Sequence, residues 1–242
     1  MLSKIISSVQ NPLVKLVYKI RTDKKTREKE GRVLVTGRKE ILEISKKISF
    51  LQVFALESEE MFLENTIFCT ENVLAKISGI KNSEPCALFP LPEDKNLLKK
   101  NTIVVLDHIQ DPGNLGTLIR TAYALGFEGM ILIGTVDPFN DKAVRASKGA
   151  CFLLPLQKAN EEQMIKIAKE KKLYVADVKG KKCFGTDFQK PFLLLLGHET
   201  KGPSSWTDSY EKITIPMNEQ FDSLNVASAG AILMYEMMGK KI

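Results

Sequence analysis

The chain has 242 residues, of which 44% are hydrophobic and 26% charged. That is enough apolar matter for one large domain or two smaller ones, and it excludes a disordered chain. The formal net charge of +6 favours an anionic partner. Its location says more. Ten Lys or Arg between Lys15 and Lys39 face three acids, so this segment holds +7 and the rest of the chain −1. Such clustering favours a localised nucleic-acid contact. Four cysteines without a C-x-x-C pair, and only two histidines, argue against a metal site and a disulfide framework. Reduced thiols in a cytoplasmic protein are expected. Polar residues from Ser7 to Asn11 interrupt any signal-peptide core, and no apolar run approaches the ~20 residues of a membrane span.

In chain order, Asn11-Pro12 reads as a helix cap followed by proline at the first helical position. Leu13, Leu16, Val17 and Ile20 then recur at helical spacing. The charged stretch from Thr22 to Gly31 reads as a helix end or a mobile arm. A short strand over 32–36, a helix from Gly37 to about Lys47, strands near 51–56 and 66–69, a helix capped by Thr70 and a strand over 87–91 follow. Together they predict a compact α/β domain over residues 1–91. The proline and charges of 92–101 mark a linker.

From Thr102 the alternation lengthens. Strands are expected at 103–107, 130–133, 151–154, 173–176, 192–196 and 213–215. Helices are expected at 114–126, 141–148, 160–172 and to about Met238. This alternation predicts a mostly parallel sheet over 102–242, with ligands beyond the carboxyl ends of its strands. Asp222 or Ser223 is placed to cap the last helix, with Gly239 just past its end. Gly230, within the small-residue run 227–231, implies a tight backbone approach.

Three loops at strand ends carry polar residues. The first, Asp107 to Arg120, lacks the G-x-G-x-x-G fingerprint, which disfavours a dinucleotide site. Arg120 lies one turn above Gly116 and Thr117, where small residues leave room for two-point recognition of a phosphate. The second, Leu193 to Gly202, pairs two glycines with Glu199. In the third, 215–225, Asn225 offers both a donor and an acceptor. Taken singly, each loop also fits a structural turn or a solvated surface.

Asn114…Arg120, Gly197-x-Glu199-x-x-Gly202 and Ile215-Pro-Met…Ser223-Leu-Asn-Val226 together resemble the three motifs of the SpoU (TrmH-like) RNA 2′-O-ribose methyltransferases. Arg145-Ala-Ser-Lys-Gly-Ala150 is similar to that family as well. Asn11-Pro…Lys15 and Arg32 to Gly37 more loosely resemble its L30e-like N-terminal domain. Thr36 and Glu219 depart from the usual Glu and Gly. The resemblance implies a SPOUT-type α/β domain with a C-terminal trefoil knot, binding S-adenosylmethionine. It further implies a homodimer acting on structured RNA, ribosomal or alternatively transfer RNA. By the same resemblance Arg120 is catalytic, with Asn114, Glu199, Ser223 and Asn225 shaping the pocket. Leu195, Gly197, Gly202, Ile215, Met217, Leu224 and Asn225 hold the cofactor. The basic segment assigns Lys15, Lys24, Lys25, Arg27, Arg38 and Lys39 to RNA. The competing expectation is a non-catalytic RNA-binding protein with a degenerate enzyme domain.

Overall fold

The computed structural model describes residues 5–59, 66–81, 84–218, 220 and 223–238. Asp222, Glu219 and Gly239, three positions weighed in the sequence, lie outside them. The chain divides into two compact units, 1–93 with 139–152, and 94–138 with 153–242.

In the first unit, α1 (Pro12–Thr22) starts where Asn11 accepts a hydrogen bond from the Leu13 N–H at 2.9 Å. It buries Val14, Val17 and Ile20. The charged stretch that follows is no mobile arm. It forms α2 (Lys24–Glu30), capped by the Asp23 carboxylate and ended by Gly31 in the left-handed region. Hydrogen bonds from Thr26, hydroxyl and backbone, hold Asp23 below the ordinary carboxylate range. β1 (Arg32–Thr36), β2 (Gln52–Ala55), β3 (Thr66–Phe68) and β4 (Cys86–Pro90) form a sheet in the order β1-β4-β2-β3. Its pairs are antiparallel except β2–β3. α3 (Arg38–Ser45) and α4 (Glu71–Ser78) complete the layer. Cys69 and Cys86 sit in this core, and burial raises their thiols to about 11 and about 12.

Two expectations fail here for packing reasons. The segment expected to be a strand at 151–154 is a short 3-10 turn, Ala150–Phe152. It packs with α6 (Asp141–Ser147) in the first unit, where Phe152 meets Phe89 and Phe139. Arg145 of the R-A-S-K-G-A run pairs there with Asp141, and Arg21 joins the same carboxylate. The strand forms instead at β7 (Leu156–Lys158). The expected linker 92–101 is anchored to the second unit. Lys95 N–H donates to the Leu156 carbonyl, Leu97 N–H to Gln157, and the Leu97 side chain is buried in the core.

The second unit holds one all-parallel sheet in the order β10-β8-β9-β5-β6-β7. Its centre, β5 (Thr102–Asp107), β9 (Phe192–Leu196) and β6 (Gly129–Ile133), is buried throughout, as strands covered on both faces are. Ile103, Val105, Ile131, Leu193 and Leu195 pack on one face with Met164 and Ile167 of α7 (Glu161–Ala168). α5 (Pro112–Ala124) and α8 (Val226–Met238) contact each other. A Cβ on Gly230 of α8 would lie 2.4 Å from Leu118 and 2.7 Å from Leu196. The small residue therefore serves packing within the chain. Edge strand β10 (Glu211–Thr214) pairs with β8 (Lys172–Lys182) across an interruption: Lys212 faces Val175 and Ile213 faces Lys181, so residues 176–180 leave the ladder.

Candidate active site

The carboxyl ends of β8, β9 and β10 enclose a cavity of about 560 Å³. Its walls come from three segments. Ala176 to Lys179 supply the looped-out part of β8, Leu196 to Pro203 come from the end of β9 and the loop after it, and Lys212 to Ile215 with Met217, Ser223, Leu224 and Val226 come from β10, the segment after it and the start of α8. Gly197, Glu199, Gly202, Ile215, Met217, Ser223 and Leu224, named above from the resemblance, line it, whereas Asn225 lies outside its lining. Leu195 does not. Strand side chains alternate between faces, so Leu196 reaches the cavity while Leu195 is buried in the opposite core. Sequence reasoning also missed Asp177, Lys179 and Lys212. The lone glycine in a strand, Gly180, was the available signal. A Cβ there would stand 2.5 Å from the backbone of Lys212 and Ile213.

Glu199 ties the cavity wall to the start of α5. Its carboxylate accepts from the backbone of Asp111 at 3.2 Å and of Gln110 at 3.4 Å, and from the Asn114 side chain at 3.2 Å. Burial pushes this carboxyl up, but hydrogen bonds from its own backbone, Asn114, Asp111 and Gln110 outweigh that and hold it below its ordinary range. Asn114 in turn accepts from the Asn225 side chain at 3.2 Å. Asn225 caps α8 through Ala227 N–H at 2.9 Å and Ser228 N–H at 3.2 Å. The cap expected at Asp222 or Ser223 is therefore Asn225, and Ser223 is left exposed on the cavity wall. One residue from each of the three motifs thus meets in one chain of hydrogen bonds.

The other members of the motifs have distinct settings. Arg120 is exposed on α5 and takes no part in this network. It stands about 9 Å along the helix axis from Asn114 at 1.5 Å per residue. His198 closes its own turn, accepting at Nδ1 from Thr200 N–H at 3.1 Å. Asp177 pairs with Lys212 at 3.1 Å. Burial pushes Asp177 up, but the Lys179 backbone and the Lys212 ammonium outweigh it and lower its pKa. Gly197 has no room for a side chain, since a Cβ would be 2.4 Å from Pro203 N and 2.5 Å from Gly202 C. At Gly202 a Cβ would meet nothing within 4 Å, and its φ of +73° suits glycine. Apolar walls, both signs of charge and this volume suit a small ligand with polar and apolar parts.

The SpoU rRNA methylase family profile matches residues 101–235. The chain belongs to that family. It is 31% identical to the Bacillus subtilis 23S rRNA (guanosine(2553)-2′-O)-methyltransferase RlmP, over 98% of this chain and 100% of that protein. A 23S rRNA (uridine(2479)-2′-O)-methyltransferase of Streptomyces viridochromogenes is 34% identical over 57% of this chain and 53% of its own length. Among solved structures, the AdoMet-bound rRNA methyltransferase of Sinorhizobium meliloti superposes with a TM-score of 0.87 at 28% identity. That match covers 99% of this chain and 98% of the other. The likeness to that structure spans both units.

In the basic segment, Lys15, Lys24, Lys25, Arg38 and Lys39 are exposed. Arg38 pairs with Glu59. Arg27 is a correction. It is 3% exposed, and its NH1 donates to the carbonyls of Ile20 at 3.0 Å and Arg21 at 2.9 Å. It completes the end of α1 and does not face a partner.

Proposed function

We propose that the chain transfers a methyl group from S-adenosylmethionine to a ribose 2′-hydroxyl of 23S ribosomal RNA. The observation that carries this reading is the Asn114–Glu199–Asn225 network, which joins one member of each family motif and reaches the cavity through Glu199. The cofactor supplies a sulfonium-bound methyl group at that site. By the family resemblance the backbone of Gly197, Ile215 and Leu224 holds its adenosyl part, and the place of these residues in the cavity lining, with Gly202 and Met217, supports that reading. The relatives' printed activities support the choice of substrate.

The planar guanidinium of Arg120 offers a fork of hydrogen-bond donors and no acceptor, so it serves as a clamp on the target phosphate. Its guanidinium balances the charge that develops on the 2′-oxygen. Glu199 stays ionised and fixes the Asn114 amide, which holds the ribose side of the pocket in register. The first unit, L30e-like by resemblance, carries the RNA through Lys15, Lys24, Lys25, Arg38 and Lys39. Tyr235 and Ile232, exposed on α8, support a homodimer through the second unit. We assign the trefoil threading of the C-terminal segment on the family resemblance. Among the described residues no helix is long and apolar enough to cross a membrane. A cytoplasmic enzyme fits the ribosomal substrate.

The test has two arms. Calorimetry should detect S-adenosylmethionine binding and no NAD binding. Methyl from labelled cofactor should enter 23S RNA at one ribose, mapped by resistance to alkaline cleavage. A well-folded protein that binds no S-adenosylmethionine defeats the enzyme reading and leaves the RNA-binding one. Transfer to tRNA alone would move the substrate class.

A further inference from the structure

The loop after β5 contains a second constellation outside the cavity. His108 has φ +59°, a left-handed backbone that L residues rarely adopt. Its Nδ1 lies 2.7 Å from Oδ1 of Asp107, a residue with no exposed surface. The other oxygen of Asp107 accepts from Ser204 N–H at 2.8 Å. With Nδ1 held by the carboxylate, Nε2 is the ring nitrogen left for a partner. The imidazole lies over Gly134, where a Cβ would come within 2.5 Å of the ring. The His108 side chain remains 43% exposed.

Gln110 is fixed in the same way. Its side-chain amide donates to the His108 carbonyl at 3.2 Å and to the Gly134 carbonyl at 2.9 Å. Both donors are committed, so Oε1 is the acceptor turned outward on an exposed residue. The backbone beneath is rigid. His108 N–H donates to Ile133 at 2.8 Å and Val136 N–H to Ile109 at 3.0 Å, so the loops after β5 and β6 are joined. Gln110 N–H also reaches Glu199, which connects this platform to the cavity wall.

We propose that His108 and Gln110 read the base of the nucleotide whose ribose is methylated. Resting on the function proposed above, this adds the element that selects the base. A fixed amide oxygen beside a fixed imidazole nitrogen matches a base edge that presents an N–H donor to Gln110. The bonds of these two side chains are not needed to hold the cavity wall, because Glu199 is held by the Gln110 backbone and not by its side chain. Side chains locked by inner partners are suited to selecting one base, since a mismatched base leaves the fixed acceptor unpaired.

The experiment uses the full chain, labelled S-adenosylmethionine and 23S RNA transcripts carrying each of the four bases at the mapped methylation site. Wild type should prefer one base by about tenfold or more in kcat/KM, the scale of one good base contact. Gln110→Met should lose most of that preference. His108→Asn, which tolerates the left-handed backbone, should raise KM for the RNA several-fold. Calorimetric affinity for S-adenosylmethionine should be unaltered in both, which separates a reading role from a structural one. Gln110→Met with wild-type base preference overturns the inference while the proposed function stands. A wild type that methylates all four transcripts equally overturns it too. A wild type that transfers no methyl group to any transcript removes the proposed function and this inference together.

Discussion

The Asn114 side chain donates to the Glu199 carboxylate at 3.2 Å, across 85 residues of sequence. This bond joins the first turn of α5 to the loop after β9, and through Asn225 it reaches the start of α8. Removing the acceptor should loosen all three. Glu199→Ala should lower methyl transfer by ~10²-fold or more, as the loss of a group that aligns the reacting parts does. The Asn114 amide and two backbone N–H groups would lose their acceptor, so stability should fall by roughly 1–3 kcal/mol. Single-turnover transfer and thermal melting test the two effects separately.

The same carboxylate predicts a dependence on pH. Its folded pKa lies below the ordinary value. Its contribution is therefore complete above the unfolded carboxylate pKa, and it is lost as pH falls through the folded one. On acidification across that window the wild type should lose more stability than Glu199→Gln, whose side chain does not titrate. Parallel curves of melting temperature against pH for the two proteins would count against this account.

Arg120→Ala should abolish methyl transfer while leaving S-adenosylmethionine affinity and melting temperature close to wild type, because the side chain is exposed and outside the network. Arg120→Lys keeps the charge without the two-pronged donor. It should be slowed by ~10²-fold, the scale of losing one oxyanion donor. Single-turnover kinetics at saturating RNA and cofactor measure this, and a lysine enzyme within a few-fold of wild type would reduce Arg120 to a generic positive charge.

In the basic segment, neighbouring residues should behave oppositely. Lys24→Glu with Lys25→Glu should weaken RNA binding and flatten its salt dependence, since fewer counterions are released. Arg27→Ala should instead destabilise the first unit by about 1–3 kcal/mol, by leaving the carbonyls of Ile20 and Arg21 without their buried donor. Filter binding across a salt series, beside chemical denaturation, distinguishes the two.

Gly197→Ala should lower S-adenosylmethionine affinity at least ~10-fold, because binding sites tolerate little displacement. The added carbon would lie 2.4 Å from Pro203 N, a backbone atom that cannot rotate aside. The whole cavity loop must shift. Calorimetry measures the effect directly, and an alanine variant of unchanged affinity would show that the loop is more pliant than its contacts indicate.

Much of this protein is legible in the chain itself, because local chemistry decides it. Asn11-Pro12 offers a cap and a proline at the first helical position and does start α1, and the apolar run 103–106 forms a strand buried along its length. The motifs that hold Asn114, Glu199 and Asn225 pointed to a site through their resemblance to a known family, before the side chains were placed. Tertiary structure decided what depends on distant partners. Arg27 looks like any surface cation until the carbonyls ending α1 close over it. Leu195 and Leu196 are equal in composition, and only the register of β9 against its neighbours sends one to the core and the other to the cavity. Residues 151–154 are apolar enough for a strand, yet packing of Phe152 against Phe89 and Phe139 gives them a different place. Asn225 takes the cap of α8 because it also meets Asn114, a contact across 111 residues that no local pattern contains. Sequence periodicity reports which face of an element is apolar, and only the folded chain determines what that face meets.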